Sequence, residues 1–273
     1  MSFDYSNSVL LEGIISIKAA VASQNREIYH VYADEKKVKS RDRKALGFIS
    51  FLKANNIEYS LESREYIDDT VRKRYTSEKA ENSANSGTFH CGMTHGGFIA
   101  FAGDRKYMDF EKFLDALSTS GSYAVYLDGV EDPYNFGYSV RNLFAFGAYG
   151  FILPKRNWMT AANIVSRASA GATELCCLTF APENDSTAVK LIKQHGVDIV
   201  CAALSGTSVS VYDFSPKKPF ILFIGGEKRG ISKEFMQSAN SVVHIPYSNQ
   251  NASYSLPTAS AAAIFGSILA MKK

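Results

Sequence analysis

The apolar positions of this chain change rhythm near its middle. In the second half, short continuous apolar runs at 123–127, 150–153, 175–180, 198–203, 220–224 and 242–245 alternate with stretches of helical spacing. The helical stretches start at Val140, with Leu143, Phe144 and Phe146, and cover 161–170, 187–194, 232–239 and 258–271. Strands that are apolar on both faces and separated by helices predict a parallel sheet covered on two sides. The first half is more mixed. A helix at 10–22 with Ser8 as its cap, a strand at 27–33, a helix at 41–54 and a strand at 57–61 are expected. Ser63 opens a further helix over 64–75, whose first turns carry Glu65, Asp68 and Asp69, as the helix dipole favours. The small polar stretch 80–87 reads as a loop, and 95–101 turns into a last strand.

This pattern predicts an α/β chain with a smaller α/β domain at 1–104 and a larger one at 123–273. Between them, 105–122 is charged, then amphipathic, and closes on Ser118-Thr119-Ser120-Gly121-Ser122, so it reads as a linker. A net charge of +3 neither demands nor excludes a polyanionic partner, which leaves local clustering to decide. The cysteines are Cys91, Cys176, Cys177 and Cys201, with no C-x-x-C pair; reduced thiols are expected and a metal site is not. Residues 1–8 carry Asp4 and lack an apolar core, so no signal peptide is expected, and no apolar run reaches membrane-spanning length. A cytoplasmic protein is the expectation.

The chemistry gathers where apolar strands end. After 123–127 comes Leu127-Asp128-Gly129-Val130-Glu131-Asp132-Pro133-Tyr134-Asn135-Phe136-Gly137-Tyr138-Ser139-Val140-Arg141, read as a polar turn leading into a helix. It presents an amide at Asn135 and a guanidinium at Arg141 where α/β proteins bind ligands. After 220–224 comes Gly225-Gly226-Glu227-Lys228-Arg229-Gly230-Ile231-Ser232. A phosphate-binding P-loop needs lysine after its last glycine, and Ile231 stands there instead, so that reading fails. After 242–245 come Pro246, a polar loop, and Ser255-Leu256-Pro257-Thr258-Ala259-Ser260-Ala261-Ala262-Ala263.

In this order, N-x-G-x-x-x-R, G-x-E-x-x-G and I-P-loop-S-L resemble the motifs of the TrmH/SpoU family of SPOUT RNA methyltransferases. The S-R-A-S-A-G-A-T-E run ending at Glu174 is similar to that family's intervening helix and turn. The resemblance covers 123–273, and the N-terminal part resembles the substrate-binding domain of the family's ribosomal-RNA ribose methylases. It implies a C-terminal parallel sheet tied in a trefoil knot, a homodimer, and S-adenosylmethionine (SAM) bound at the knot. The implied cofactor-binding residues are Leu204, Gly225, Gly226, Ile245, Ser255 and Leu256. The implied catalytic residues are Arg141, Asn135, Glu227 and Ser255. The chain departs from the family pattern at Pro257, where Asn is usual, and at Gly226 and Lys228.

The expected function is therefore SAM-dependent methylation of a ribose 2′-hydroxyl, with ribosomal RNA as the substrate. Two alternatives stay open: a non-catalytic RNA-binding protein that keeps the fold, and a SPOUT enzyme that methylates a base nitrogen. The densest basic run is Lys36, Lys37, Lys39, Arg41, Arg43 and Lys44. Most charge runs are solvated faces, but a small basic domain appended to a methyltransferase-like half favours RNA binding. Asn135, Ser255 and Thr258 read equally as helix-start residues, and His95 and His244 as hydrogen-bonded structural residues.

Overall fold

The computed structural model describes residues 8–81, 95–154, 162–216, 219–226, 229–249 and 255–272. The expectations for residues 1–7, most of the loop at 80–87, Cys91 and Glu227 lie outside them. The chain divides into two compact units, Met1–Lys106 with Met159–Leu175, and Tyr107–Trp158 with Cys176–Lys273.

The first unit holds a four-stranded sheet in the order β1-β4-β2-β3. Its strands are β1 (Val9–Glu12), β2 (Ile28–Asp34), β3 (Tyr59–Glu62) and β4 (Phe98–Ala102). β4 runs antiparallel to β1 and β2, and β3 runs parallel to β2. On one face Leu11, Val31, Ala33, Phe98 and Ala100 pack with helices α1 (Gly13–Ser23) and α3 (Arg43–Ala54), through Ile17, Ala20, Phe48 and Leu52. On the other face Leu10, Ile99 and Phe101 meet Ile67 and Val71 of α4 (Arg64–Glu81).

Leu10 and Leu11 thus serve opposite faces, which is why a strand here carries two adjacent leucines that also fit a helical period. The helix expected from residue 10 starts only at Gly13, and Glu12 rather than Ser8 precedes it, with no side-chain cap. The basic run holds a short helix, α2 (Glu35–Lys39), capped by Asp34, whose side chain accepts from the Lys37 amide. Asp42 caps α3 in the same way through the Ala45 amide, at 2.8 Å. His95 is buried; its Nε2 lies 2.9 Å from Asp68 Oδ1 and its Nδ1 accepts from the Gly97 amide. Burial lowers its pKa.

The segment 159–175, which the motif pattern assigned to the larger domain, folds with the first unit. It forms α7 (Ala162–Ala168) and α8 (Ala172–Leu175). Gly171 makes the close approach possible: φ is +79°, and a Cβ there would sit 2.7 Å from Ala19 Cβ. Glu174, 1% exposed, accepts from Arg26 Nε at 2.8 Å and lies 3.5 Å from Arg105 Nη1. Arg105 also donates to the Thr173 carbonyl, and Arg26 to the Gly103 carbonyl.

The second unit is a seven-stranded sheet in the order β7-β6-β5-β10-β8-β11-β9, parallel throughout. The strands are β5 (Tyr123–Asp128), β6 (Gly150–Leu153), β7 (Cys177–Phe180), β8 (Asp198–Ala202), β9 (Val209–Ser210), β10 (Phe220–Gly225) and β11 (Ser241–His244). Tyr126, Ile152, Ile199, Cys201, Ile221 and Phe223 pack beneath α5 (Phe110–Ser120), α9 (Asp185–Gln194) and α10 (Lys233–Ser238). In this core, burial pushes the Cys201 thiol up to about 12. The alternate residues Val125, Leu127, Leu222 and Ile224 are also buried, on the side of α6 (Pro133–Ala145) and α11 (Thr258–Ala270). That double coverage is what the continuous apolar runs required.

The segment expected as a linker is instead mostly helix. α5 is capped by Asp109 and buries Phe110, Phe113, Leu114 and Leu117, so its amphipathic period belongs to the core of the second unit. No helix among the described residues is long and apolar enough to cross a membrane.

Replacing Glu174 with alanine leaves two buried guanidiniums without their carboxylate. A stability loss of about 3–5 kcal/mol is expected, read as a lower urea midpoint than wild type.

Candidate active site and its ligand loops

β10 lies between β5 and β8, so the loops that carry the sequence motifs leave neighbouring strands at the same edge of the sheet. The Gly226 amide donates to the Asp128 carbonyl at 2.5 Å, and the Ser232 amide donates to Asp128 Oδ2 at 2.9 Å. A Cβ on Gly226 would stand 2.1 Å from the Gly129 carbonyl oxygen, and one on Gly225 would stand 2.5 Å from the Gly230 carbonyl carbon. Only glycine tolerates that approach. The second motif is thereby fastened to the end of β5 where the first motif begins.

The first motif is helical where a polar turn was expected. Asp132 is the cap, accepting from the Asn135 amide at 2.7 Å, and Pro133 occupies the first turn. Pro133 and Gly137 suggested a turn, but proline is at home in a helix's first turn. Asn135 therefore rides half-buried in that turn rather than capping it, and Arg141 stands exposed further along the same helix. Tyr134 and Tyr138 lie on its exposed side, ring centres 6.4 Å apart.

The third motif reaches the first through α11. Asn142 Nδ2, next to Arg141, donates to the Ala259 carbonyl at 3.2 Å. A Cβ on Gly266 would meet the Phe146 ring at 3.0 Å, so the small residues of α11 let it lie close on α6. Ser255 is exposed and Leu256 half-buried just before this helix, with the Leu256 amide donating to Tyr247 Oη at 3.1 Å. Pro257 occupies the position before α11 and supplies no side-chain cap.

Leu204, Gly225 with Gly226, and Ile245 follow the ends of β8, β10 and β11, which are adjacent in the sheet. The Ala203 amide donates to the Val243 carbonyl at 2.9 Å, which holds two of these ends together. Leu204 is 83% exposed and Ile245 half-buried; His244 Nδ1 is buried with no partner among the described residues. Apolar side chains, glycine backbone and a buried ring nitrogen are the kinds of group an adenine site uses. Asn135, Arg141, Leu204, Gly225, Gly226, Ile245, Ser255 and Leu256 all belong to the second unit, Asn135 and Arg141 on α6 and the others at strand ends or just before α11. Lys36, Lys37, Lys39, Arg41, Arg43 and Lys44 belong to the first unit. Of that basic set, Lys37 donates to the Gly96 carbonyl and Lys39 pairs with Glu35.

One feature escaped the sequence pattern. A cavity of about 400 Å³ opens at the ends of β5, β6 and β7, between Asp128, Pro154, Pro182, Glu183, Asp185 and Arg229. None of the expected cofactor-binding residues lines it. Its signal in the sequence is the polar Glu183-Asn184-Asp185 step straight after an apolar strand, at the carboxyl edge where α/β sheets bind ligands.

A parallel sheet covered on both faces, with its ligand loops gathered at the carboxyl ends of its central strands, defines an α/β ligand-binding enzyme domain. The SpoU rRNA Methylase family matches residues 122–266, more than half of the chain, and the chain belongs to that family. An "Uncharacterized tRNA/rRNA methyltransferase" of Archaeoglobus fulgidus is 35% identical over 149 residues, covering 55% of this chain and 65% of that protein. The 23S rRNA (guanosine-2′-O-)-methyltransferase RlmB of Shewanella oneidensis is 28% identical over 229 residues, covering 83% of this chain and 84% of that one. Among solved structures, the SpoU methyltransferase AviRb of Streptomyces viridochromogenes, in complex with AdoMet, superposes with a TM-score of 0.70 at 17% identity. That superposition covers 98% of this chain and 91% of AviRb. The fold is the SPOUT α/β fold expected from the motifs.

Gly226→Ala is expected to destabilise the protein by about 1–3 kcal/mol through overpacking. Gly206→Ala, where a Cβ meets nothing within 4 Å, should stay within about 0.5 kcal/mol of wild type. Urea unfolding of the two variants side by side checks the contrast.

Proposed function

We propose that this chain methylates a ribose 2′-hydroxyl of ribosomal RNA, with SAM as methyl donor, in the cytoplasm and as a homodimer. The observation that carries the reading is the clamp of Gly226 and Ser232 on Asp128. It ties the end of β5, from which the chain runs into the helix bearing Asn135 and Arg141, to the glycine turn of the second motif.

The donor supplies an electrophilic methyl on a sulfonium. Leu204, Ile245 and Leu256 would wall its adenine, and the Gly225–Gly226 backbone would lie against it. The acceptor hydroxyl is a poor nucleophile until its proton has somewhere to go. Arg141 is a weak candidate for a base, because a guanidinium has donors only and no lone pair to accept a proton. Its role is to hold the neighbouring RNA phosphate and stabilise charge developing on the 2′-oxygen. Asn135, Glu227 and Ser255 orient these groups by hydrogen bonding.

The first unit would dock the RNA. Lys36, Arg41, Arg43 and Lys44 are exposed and form no ion pair among the described residues, which leaves them available to phosphates. Tyr138 of α6, 45% exposed, and Phe146 just after that helix, 36% exposed, are apolar surface that a second copy would cover.

Arg141→Ala should lower kcat for methyl transfer from labelled SAM by about 10²–10³-fold, with SAM affinity by calorimetry unchanged. Near-wild-type turnover would remove Arg141 from the mechanism. Mass spectrometry of the digested product separates ribose from base methylation. In filter binding across a salt series, each of Lys36, Arg41, Arg43 and Lys44 changed to alanine should flatten the log–log slope by roughly 0.7.

A further inference from the structure

The third motif connects the end of β11 with the start of α11, and its two halves meet through one side chain. We infer that Tyr247 is a positioning residue of the donor site: its phenol holds the Ser255-Leu256 step in place where Pro257 supplies no side-chain amide. This rests on the SAM-dependent reading and adds a residue that the motif pattern does not contain.

The need for such a tie comes from the backbone. A helix start is ordinarily fixed by a capping side chain that accepts from one of the first amides of the helix. Pro257 stands at that position of α11 and provides no side-chain cap. Its carbonyl accepts from the Ser260 and Ala261 amides, bonds that any residue there would make. Proline has no N–H either, so position 257 donates nothing from its backbone. The Asn that the family pattern has at this position is among the best capping residues. The chain therefore lacks the local device that would fix the residues just before α11.

Tyr247 supplies a device from outside. The Leu256 amide donates to Tyr247 Oη at 3.1 Å, across nine positions of sequence. Tyr247 follows Ile245-Pro246 directly, so β11 sets where it stands. β11 is itself fastened to the end of β8, because the Val243 carbonyl accepts from the Ala203 amide at 2.9 Å. One phenol thus links Leu256 to the strand that carries Ile245, and these two residues form the proposed adenine wall. A residue before proline is already confined to extended backbone. With its amide anchored as well, Leu256 has little freedom left.

A site held in its bound shape before the ligand arrives loses less entropy when it is filled. Tyr247 therefore acts on donor affinity, through Leu256, and not on the methyl-transfer step. At 40% exposure its hydroxyl can be removed without touching the core.

The test uses the full chain as wild type, Tyr247→Phe, Pro257→Asn and the double variant. SAM is titrated into each by calorimetry, and methyl transfer to total RNA from cells lacking this protein is followed at varied SAM. Loss of one hydrogen bond in Tyr247→Phe should weaken SAM binding by about 3- to 10-fold, raise KM for SAM to match, and leave kcat at saturating SAM within about twofold. Pro257→Asn should recover most of that loss in the double variant and gain less in the wild-type background. Unchanged SAM affinity in Tyr247→Phe overturns the inference and leaves the proposed function standing. A fall in kcat with KM for SAM unchanged, the pattern of lost folded enzyme, does the same. Equal gains from Pro257→Asn in the two backgrounds also overturn it, because the tie and the cap then act independently. If wild type binds no SAM, the proposed function falls and the inference falls with it.

Discussion

The backbone contact between Gly226 and the Asp128–Gly129 corner is the constraint on which the second unit depends. With no room for a side chain between them, the end of β10 can approach β5 closely enough for the Gly226 amide to reach the Asp128 carbonyl. The same aspartate then uses its side chain to hold the Ser232 amide at the start of α10. One residue therefore sets where two helices begin: α10 directly, and α6 through the short step to Asp132. The Gly225–Gly226 turn, the step into α6 and the cavity beside Asp128 all meet at that corner.

The first unit is secured by a different kind of interaction. Its interior contains a carboxylate held between two arginines, with Glu174 contributed by a segment distant in sequence from Arg26 and Arg105. Such an arrangement adds little to stability compared with apolar packing, but it is strongly directional. A carboxylate must find both guanidiniums, so α8 has one way to seat against α1. Gly171 enforces the same choice sterically, since only a residue without a side chain passes Ala19.

Much of this was legible in the sequence, for physical reasons that differ from element to element. β5 and β10 were plain because a strand covered on both faces must be apolar at every position, and their short length and aromatic and β-branched residues set them apart from a buried helix. β1 fits a helical period because Leu10 and Leu11 serve two faces of a sheet at once. β9 has only two residues, too few for any period to register. α5 was read as a linker because its exposed side is rich in charge and its end in serine, although its buried side holds Phe113 and Leu114. Asn135 and Arg141 stood out by spacing, yet their helix was started too late because Pro133 was read as part of a turn. The cavity was harder to read, because Glu183 and Asp185 follow one strand, Asp128 ends another and Arg229 follows a third, and they meet only when the strands are laid side by side.

The strand order has a consequence for how the molecule is made. β10 lies between β5 and β8 but is synthesised after both. A nascent chain that has reached β8 has no strand to pair it with, because both of its neighbours, β10 and β11, are still to come. The two halves of the sheet are joined only when β10 pairs with β5 on one side and β8 on the other. The Gly226 turn and the α10 start held by Asp128 both wait for that pairing, so the corner on which the second unit depends closes only after β10 has been made.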